Sequence, residues 1–348
     1  MESRYGEDKY LISYCLDSRI FDKFDIEVDD VVPLRNVYIL LTNRGRKIFK
    51  KLSYGKERMT FIEKALDYVK RNYPYVIEFE RSSSGGSFIE HEGEVYVLIN
   101  AIEGRECEIY NPVDILKASR ALARLHSASQ GITEKLPGEL TSKVENVSLG
   151  RLEVILRRDL KLIADLQERL KEFVSYNEFD KLFDSSAEEI RKVLYRCMEL
   201  IENSGYQELC SDKAAAVLCH GDLAHHNIII HGEAAWFLDF DYCTIDLRVK
   251  DIADFIDKSI KGCGYDIDKC SDIIANYHKA AQLTSQEMKL LYIYLMYPRE
   301  LISLLRGYYN KEKNWEYRVF LDRFTKKLRG REEKELFLKE FFTKYLSL

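Results

Sequence analysis

The chain has 348 residues, 46% hydrophobic and 32% charged, which is enough apolar material for sizeable cores and excludes a wholly disordered chain. Lys and Arg number 53 against 58 Asp and Glu, so the formal charge is −5 and a general nucleic-acid binder is a poor fit. Only 5 prolines and 17 glycines leave little room for long low-complexity linkers, and at roughly 150 residues per domain the length suggests about two units.

The opening MESRYGEDKYLISYC has no basic segment followed by an apolar one, so no signal peptide is expected and the chain reads as made in the cytoplasm. The most apolar late run, Leu290 to Tyr297, is far shorter than the ~20 residues of a spanning helix. No membrane partner is expected. Eight dispersed cysteines contain no C-x-x-C pair and read as reduced packing thiols rather than a zinc site.

Val28–Val32, Val37–Leu41 and Lys47–Leu52 read as strands, the last two forming a hairpin that turns near Gly45. Phe61, Ile62, Ala65, Leu66 and Val69 recur at helical spacing and predict a helix over 57–71. Tyr75–Glu80 and Glu94–Asn100 read as two further strands around a Ser/Gly turn. Beyond Gly104 the pattern becomes helical. Asn111-Pro112 caps a helix ending near His126, and others are expected at 152–174, 186–204, 249–261, 269–282, 285–306 and 332–346. The expected architecture is α+β, with a β-rich lobe over 1–102 and a larger helical lobe over 103–348.

Chemistry concentrates between Ala215 and Asp241. A buried apolar run leads into His220-Gly221-Asp222, then into Ile228-Ile229-Ile230; His231-Gly232-Glu233 turns the chain, and Ala234–Leu238 returns to Asp239-Phe240-Asp241. If the strands pair around Gly232-Glu233, facing residue numbers sum to about 465, which sets Ile230 opposite Ala235 and Asn227 beside Leu238 and Asp239. Asp222 lies on the loop feeding the same end. Two carboxylates and a carboxamide then offer the oxygen ligands that Mg²⁺ prefers. In phosphoryl transfer one Asp accepts the hydroxyl proton, while an Asn and a second Asp hold the metal against a triphosphate. The histidines 220, 225, 226 and 231 do not form a zinc pattern, since adjacent residues on an extended chain point opposite ways.

His220-Gly221-Asp222-x-x-x-x-Asn227 followed by Leu238-Asp239-Phe240 resembles the aminoglycoside and choline phosphotransferase branch of the protein-kinase-like fold. So do Leu122-Ala123-Arg124-Leu125-His126 and Asp251-Ile252-Ala253. Within that branch, Asp239-Phe240-Asp241-Tyr242-Cys243, Arg248-Val249-Lys250-Asp251, Leu291–Pro298, Gly307-Tyr308-Tyr309-Asn310 and Ile102–Glu106 resemble the spore-coat CotS family.

The resemblance implies a two-lobed ATP- and Mg²⁺-dependent phosphotransferase acting on a small-molecule hydroxyl, in a spore-forming bacterium. It makes Asp222 the catalytic base, Asn227 and Asp239 metal ligands, and His220 and Asp251 supports of the loop. Lys50 matches the lysine that contacts the α/β-phosphates; Lys47 and Lys51 are neighbours, and strand alternation after Gly45 favours Lys50. Its helix partner is Glu57 or Glu63, both open. Asn100 and Ile102, at the lobe junction, are the remaining expected nucleotide contacts. Pro33-Leu34-Arg35-Asn36, where protein kinases carry a glycine-rich loop, contains no glycine. The same resemblance supports a rival reading, a coat component that keeps the scaffold and works by assembly with other coat proteins. A metal-dependent hydrolase is a third.

Overall fold

A computed structural model of the protein describes residues 18–35 and 37–347, so Cys15 and Asn36 lie outside the described residues. After a short helix α1 (Ser18–Asp22), strands β1 (Val28–Leu34), β2 (Val37–Thr42) and β3 (Gly45–Lys51) form an antiparallel meander. Thr42 pairs with Gly45 across the expected turn, and Gly45 takes φ +84°, which glycine adopts without a Cβ penalty. Helix α2 (Lys56–Lys70) follows. Strands β4 (Ile89–His91) and β5 (Glu94–Asn100) complete a five-stranded sheet in the order β1-β2-β3-β5-β4.

Residue alternation sorts this sheet into two faces. Phe49 pairs with Leu98, and both are buried with Phe21, Phe24 and Leu40 on one side. Lys50 pairs with Val97, which packs with Leu52 and Met59 on the α2 side. The one-residue step from Phe49 to Lys50 therefore turns the lysine away from the α1-side core.

The larger lobe is mainly helical: α3 (Pro112–Ala128), two single-turn helices α4 (Ile132–Lys135) and α5 (Gly138–Thr141), α6 (Leu152–Lys171), α7 (Glu178–Glu202) and α8 (Tyr206–Ser211). Strands β7 (Ala216–Cys219) and β10 (Thr244–Leu247) pair with each other. Strands β8 (Ile228–His231) and β9 (Ala234–Phe237) form the hairpin, to which a two-residue β6 (Arg105–Glu106) adds an edge. Helices α9 (Val249–Ile260), α10 (Ile267–His278), α11 (Ser285–Met296), α12 (Arg299–Tyr309), α13 (Tyr317–Arg329) and α14 (Arg331–Tyr345) complete the chain. One continuous core joins the lobes: Phe61, Ile62, Leu66 and Val69 of α2 belong to the same cluster as Leu122, Phe237 and Ile256. Among the described residues no helix is long and apolar enough to cross a membrane.

Three expectations are corrected, and one helix is added. Tyr75–Glu80 is not a strand: Val76 bridges Phe237 in the large lobe while Phe79 bridges Ile99 in the small one, so the segment serves both sheets and ladders with neither. The helix over 285–306 is two helices. Pro298 has no N–H to donate and holds Tyr297 extended at φ −54°, ψ 125°. Helix α7 begins eight residues before the predicted 186, because Asn177 and Asp180 form a reciprocal capping box. Helix α13 was not anticipated. All seven described cysteines are free thiols, five of them buried.

Candidate active site

Strand β7 is buried throughout and delivers His220-Gly221-Asp222 to the end of the β8–β9 hairpin. Gly221 turns there at φ +82°, where a Cβ would come within 2.2 Å of the Tyr242 carbonyl oxygen; only glycine fits. The turn is gripped from α9. The fully buried Asp251 carboxylate accepts the His220 N–H at 2.5 Å and the Gly221 N–H at 2.9 Å, and His126 Nε2 lies 3.2 Å away. Burial raises the Asp251 pKa, but His126, His220 and the Gly221 N–H outweigh it and hold the carboxyl below its ordinary value.

The tautomers follow from the partners. His220 Nε2 is 2.6 Å from the Leu238 carbonyl and must donate; its Nδ1 then accepts the Asp222 N–H at 3.2 Å. His126 donates through Nε2 to Asp251 and accepts the Tyr277 hydroxyl at Nδ1, 2.8 Å away. Burial pushes the His126 pKa down, in keeping with a neutral ring. Among the described residues, His126, Cys219 and Asp251 are the one group with metal-like spacing. Both carboxylate oxygens and both ring nitrogens there are already hydrogen-bonded, so the trio is a core network and not a metal centre.

The hairpin has the register that the turn demands, Ile228 with Phe237 through His231 with Ala234. The Leu238 N–H donates to the Asn227 carbonyl at 2.8 Å, which brings Asn227 beside Asp239. Asn227 turns its amide nitrogen to Asp222, 3.0 Å from the carbonyl and 3.3 Å from Oδ2. That leaves its Oδ1 as an oxygen ligand that no described residue engages. Asp239 takes the left-handed region at φ +59°. The donor set of a carboxylate and a carboxamide oxygen fits Mg²⁺.

Lys50 reaches across from β3. Its Nζ lies 2.6 Å from Asp239 Oδ1 and 2.7 Å from Asp241 Oδ2, and the Tyr54 hydroxyl donates to Asp241 Oδ1 at 2.8 Å. Burial lowers the Lys50 pKa, but Asp241 and Asp239 raise it above the ordinary lysine value. Burial likewise raises Asp239, and Lys50 draws it below the usual carboxylate range. Neither Glu57 nor Glu63 pairs with Lys50; Glu63 takes Arg81 at 2.5 Å instead. The carboxylates of the large lobe have displaced the expected helix partner. Helix α2 still holds this region through Arg58, which donates to the Asn146 side chain at 2.7 Å and to the carbonyls of Asp241 and Cys243. Lys47 lies on the other face, at 2.6 Å from both Glu80 and Asn100 Oδ1. Lys51 pairs with Glu94 at the surface.

Asp222 Oδ1 accepts a hydrogen bond from Lys258 at 2.5 Å, and Lys258 also donates to Asp254 at 2.8 Å. Asp254 in turn takes the Leu223 N–H at 2.9 Å and the Arg299 guanidinium. Asp241, Tyr54, Lys258, Asp254 and Arg299 were not anticipated as site residues. Asp251, Asp254 and Lys258 share one face of α9 by their i, i+3, i+7 spacing, and that signal was in the sequence.

Residues 17–341 match the family model described as "Spore coat putative kinase YutH". The chain belongs to this family. It is also 22% identical over 288 residues to spore coat protein S of Bacillus subtilis strain 168, covering 80% of this chain and 78% of that protein, as the CotS resemblance implies. Among solved structures it is similar to an aminoglycoside phosphotransferase from Alicyclobacillus acidocaldarius (TM-score 0.78, 15% identity, 96% of this chain and 97% of that one). A spectinomycin phosphotransferase in complex with ADP and spectinomycin matches with TM-score 0.66 and 11% identity, over 95% of this chain and 99% of that one. The fold is therefore the two-lobed, kinase-like one that the sequence motifs imply.

Proposed function

We propose that this YutH-family protein is an ATP- and Mg²⁺-dependent phosphotransferase acting on a hydroxyl of a small molecule. The observation that carries the reading is the convergence of Asp222, Asn227, Asp239 and Lys50 at one end of the β8–β9 hairpin, with Asn227 bonded to Asp222, Lys50 bonded to Asp239, and the Leu238 N–H on the Asn227 carbonyl setting the two pairs side by side. Residues 1–102 serve as the nucleotide lobe and 103–348 as the catalytic and substrate lobe. Asn227 Oδ1 and Asp239 hold Mg²⁺, which when bound supplies charge neutralisation at the phosphates. Lys50, now counter-charged by Asp239 and Asp241, turns to the α/β-phosphates. The Ile102 N–H and C=O make no hydrogen bond within the described residues, which leaves them for an adenine edge; the Asn100 side chain is tied to Lys47 on the face away from Lys50, so Asn100 is left with a backbone role at most. Asp222 takes the acceptor's hydroxyl proton as its oxygen bonds the γ-phosphorus and the bond to the β,γ-bridging oxygen breaks, releasing ADP.

The neighbour bound to ADP supports nucleotide binding, and the coat-protein relative supports a second reading, a coat component that uses the scaffold for assembly. Both are compatible with synthesis in the cytoplasm and residence in the coat. The Asp222→Asn variant separates them. A kinase loses on the order of 10²–10⁴ in transfer rate while its stabilisation by Mg·ATP persists. A scaffold shows no transfer even in the wild type, and the variant enters the coat normally. If ATP raises the melting temperature equally with and without Mg²⁺, the roles given to Asn227 and Asp239 are wrong.

A further inference from the structure

The large lobe holds a cavity of about 350 Å³ between α6, α7, α9 and α11–α14, within the size range of small-molecule sites. Its walls are partly apolar, with Leu152, Ile155, Tyr294 and Leu301, and Asp254 and Arg299 also line it. Asp254, at the cavity wall, is bridged to Asp222 by the single ammonium of Lys258, so that one lysine separates the cavity lining from the base.

The charges around it are unevenly matched. Glu300 is shared by two lysines, Lys261 at 2.8 Å and Lys327 in direct contact. Asp159 is shared by Arg158 and Arg306. Asp254 is shared by Arg299 and Lys258, and the second partner of Lys258 is Asp222, which becomes neutral on accepting a proton. The remaining acidic lining residues are each matched by one cation, in the pairs Lys334–Asp257, Lys250–Asp246, Arg331–Glu335 and Lys192–Glu189. Burial, the lysines 261 and 334 and Arg299 draw Lys327 down to about 8, despite Asp257 and Glu300 nearby. Burial, Lys258 and Arg299 lower Lys261 as well. Crowded, partly desolvated cations of this kind are relieved by a bound anion and aggravated by a bound cation.

Resting on the phosphotransferase reading, we propose that the acceptor is an organic anion, carboxylate or phosphate, that bears a hydroxyl on an apolar body. Its negative group sits on Lys327 and Arg299, its apolar body fills the cavity, and its hydroxyl reaches Asp222 past Lys258. An amino alcohol or aminoglycoside brings positive charge to the same place and is disfavoured.

A charge-matched series tests this: 6-hydroxyhexanoate and 6-hydroxyhexyl phosphate, neutral 1,6-hexanediol, and 6-amino-1-hexanol, titrated into the full chain by calorimetry with and without Mg²⁺ and a non-hydrolysable ATP analogue. The anions should bind at least about tenfold more tightly than the diol, and the amine more weakly than the diol. Lys327→Met should remove most of the anion preference and leave stabilisation by the Mg·nucleotide unchanged; Lys261→Met serves if that variant does not fold. Equal binding across the series, a preference for the amine, no binding by any member at about 10 mM, or an anion preference that survives both substitutions overturns the proposal. Failure of the kinase reading is seen separately, as absent stabilisation of the wild type by the Mg·nucleotide whatever the ranking of the anions.

Discussion

Asp251 and Asp254 stand one turn apart on α9, both buried, and both grip the loop over His220–Leu223 by accepting its backbone N–H groups. They differ in what fills their remaining acceptor sites. Asp251 is closed off by the neutral His126, itself capped by Tyr277. Asp254 is met by two cations, Lys258 and Arg299, one leading to the proposed base and the other to the cavity wall. A carboxylate sealed by neutral donors can only hold shape. One bound by charged side chains feels any change in the charge of their other partners. The same residue type on the same helix thus serves as anchor in one place and as relay in the other.

The largest effect expected from this contrast is at the anchor. Asp251→Ala strands two loop N–H groups and His126 in a dry site, and should cost about 3–5 kcal/mol in urea unfolding. A loss below about 1 kcal/mol would mean that the anchor is not one. Gly221→Ala should follow at about 1–3 kcal/mol, since the residue sits at φ +82° against the Tyr242 carbonyl. At the relay, Asp254→Asn keeps the shape and should lose only about 1–2 kcal/mol. Its transfer rate should fall more than its stability, because Lys258 is left to Asp222 alone. Equal losses in both would erase the distinction between anchor and relay.

The smallest effect sharpens the relay side. Lys327 is held near 8 against an ordinary 10.5, so between those values the unfolded chain binds the extra proton and wild-type stability rises with pH. The groups facing Lys327 are Lys261, Lys334, Arg299, Asp257 and Glu300. Lys327→Met should flatten that rise and, at pH 7, leave the protein as stable as wild type or slightly more so, by less than about 1 kcal/mol. Paired thermal melts at pH 7 and pH 10 measure it.

The hairpin register was legible because a turn at Gly232-Glu233 and a period of two leave no alternative that keeps Ile228, Ile230, Ala235 and Phe237 buried. The nearness of Asp222, Asn227 and Asp239 follows from that register, and the inward turn of Lys50 follows from the same alternation in β3. The partners of Lys50 were not legible. They lie 189 and 191 residues downstream, and local pattern holds no information on how two lobes face one another. Lys258 follows from the spacing on α9, but spacing alone does not separate it from an ordinary solvated position on an amphipathic helix. Arg299 and Lys327 needed the packing of α12 and α13 on α9, and α13 itself was missed. The break at Pro298 was written in the sequence; the apolar periodicity on either side of it masked it.

The thiols carry a different consequence. Burial pushes Cys197 and Cys243 up to about 12, and raises Cys107, Cys219 and Cys270 as well. At neutral pH the reactive thiolate is nearly absent at these sites, and the side chains are out of reach of reagent. They occupy separate elements: Cys219 in β7, Cys197 in α7 and Cys270 in α10, with Cys243 just before β10 and Cys107 just after β6. Alkylation at each can proceed only as fast as that element opens. The protein therefore carries its own set of clocks: all five lie in the large lobe, and residue-resolved labelling would time how the elements of that lobe come apart.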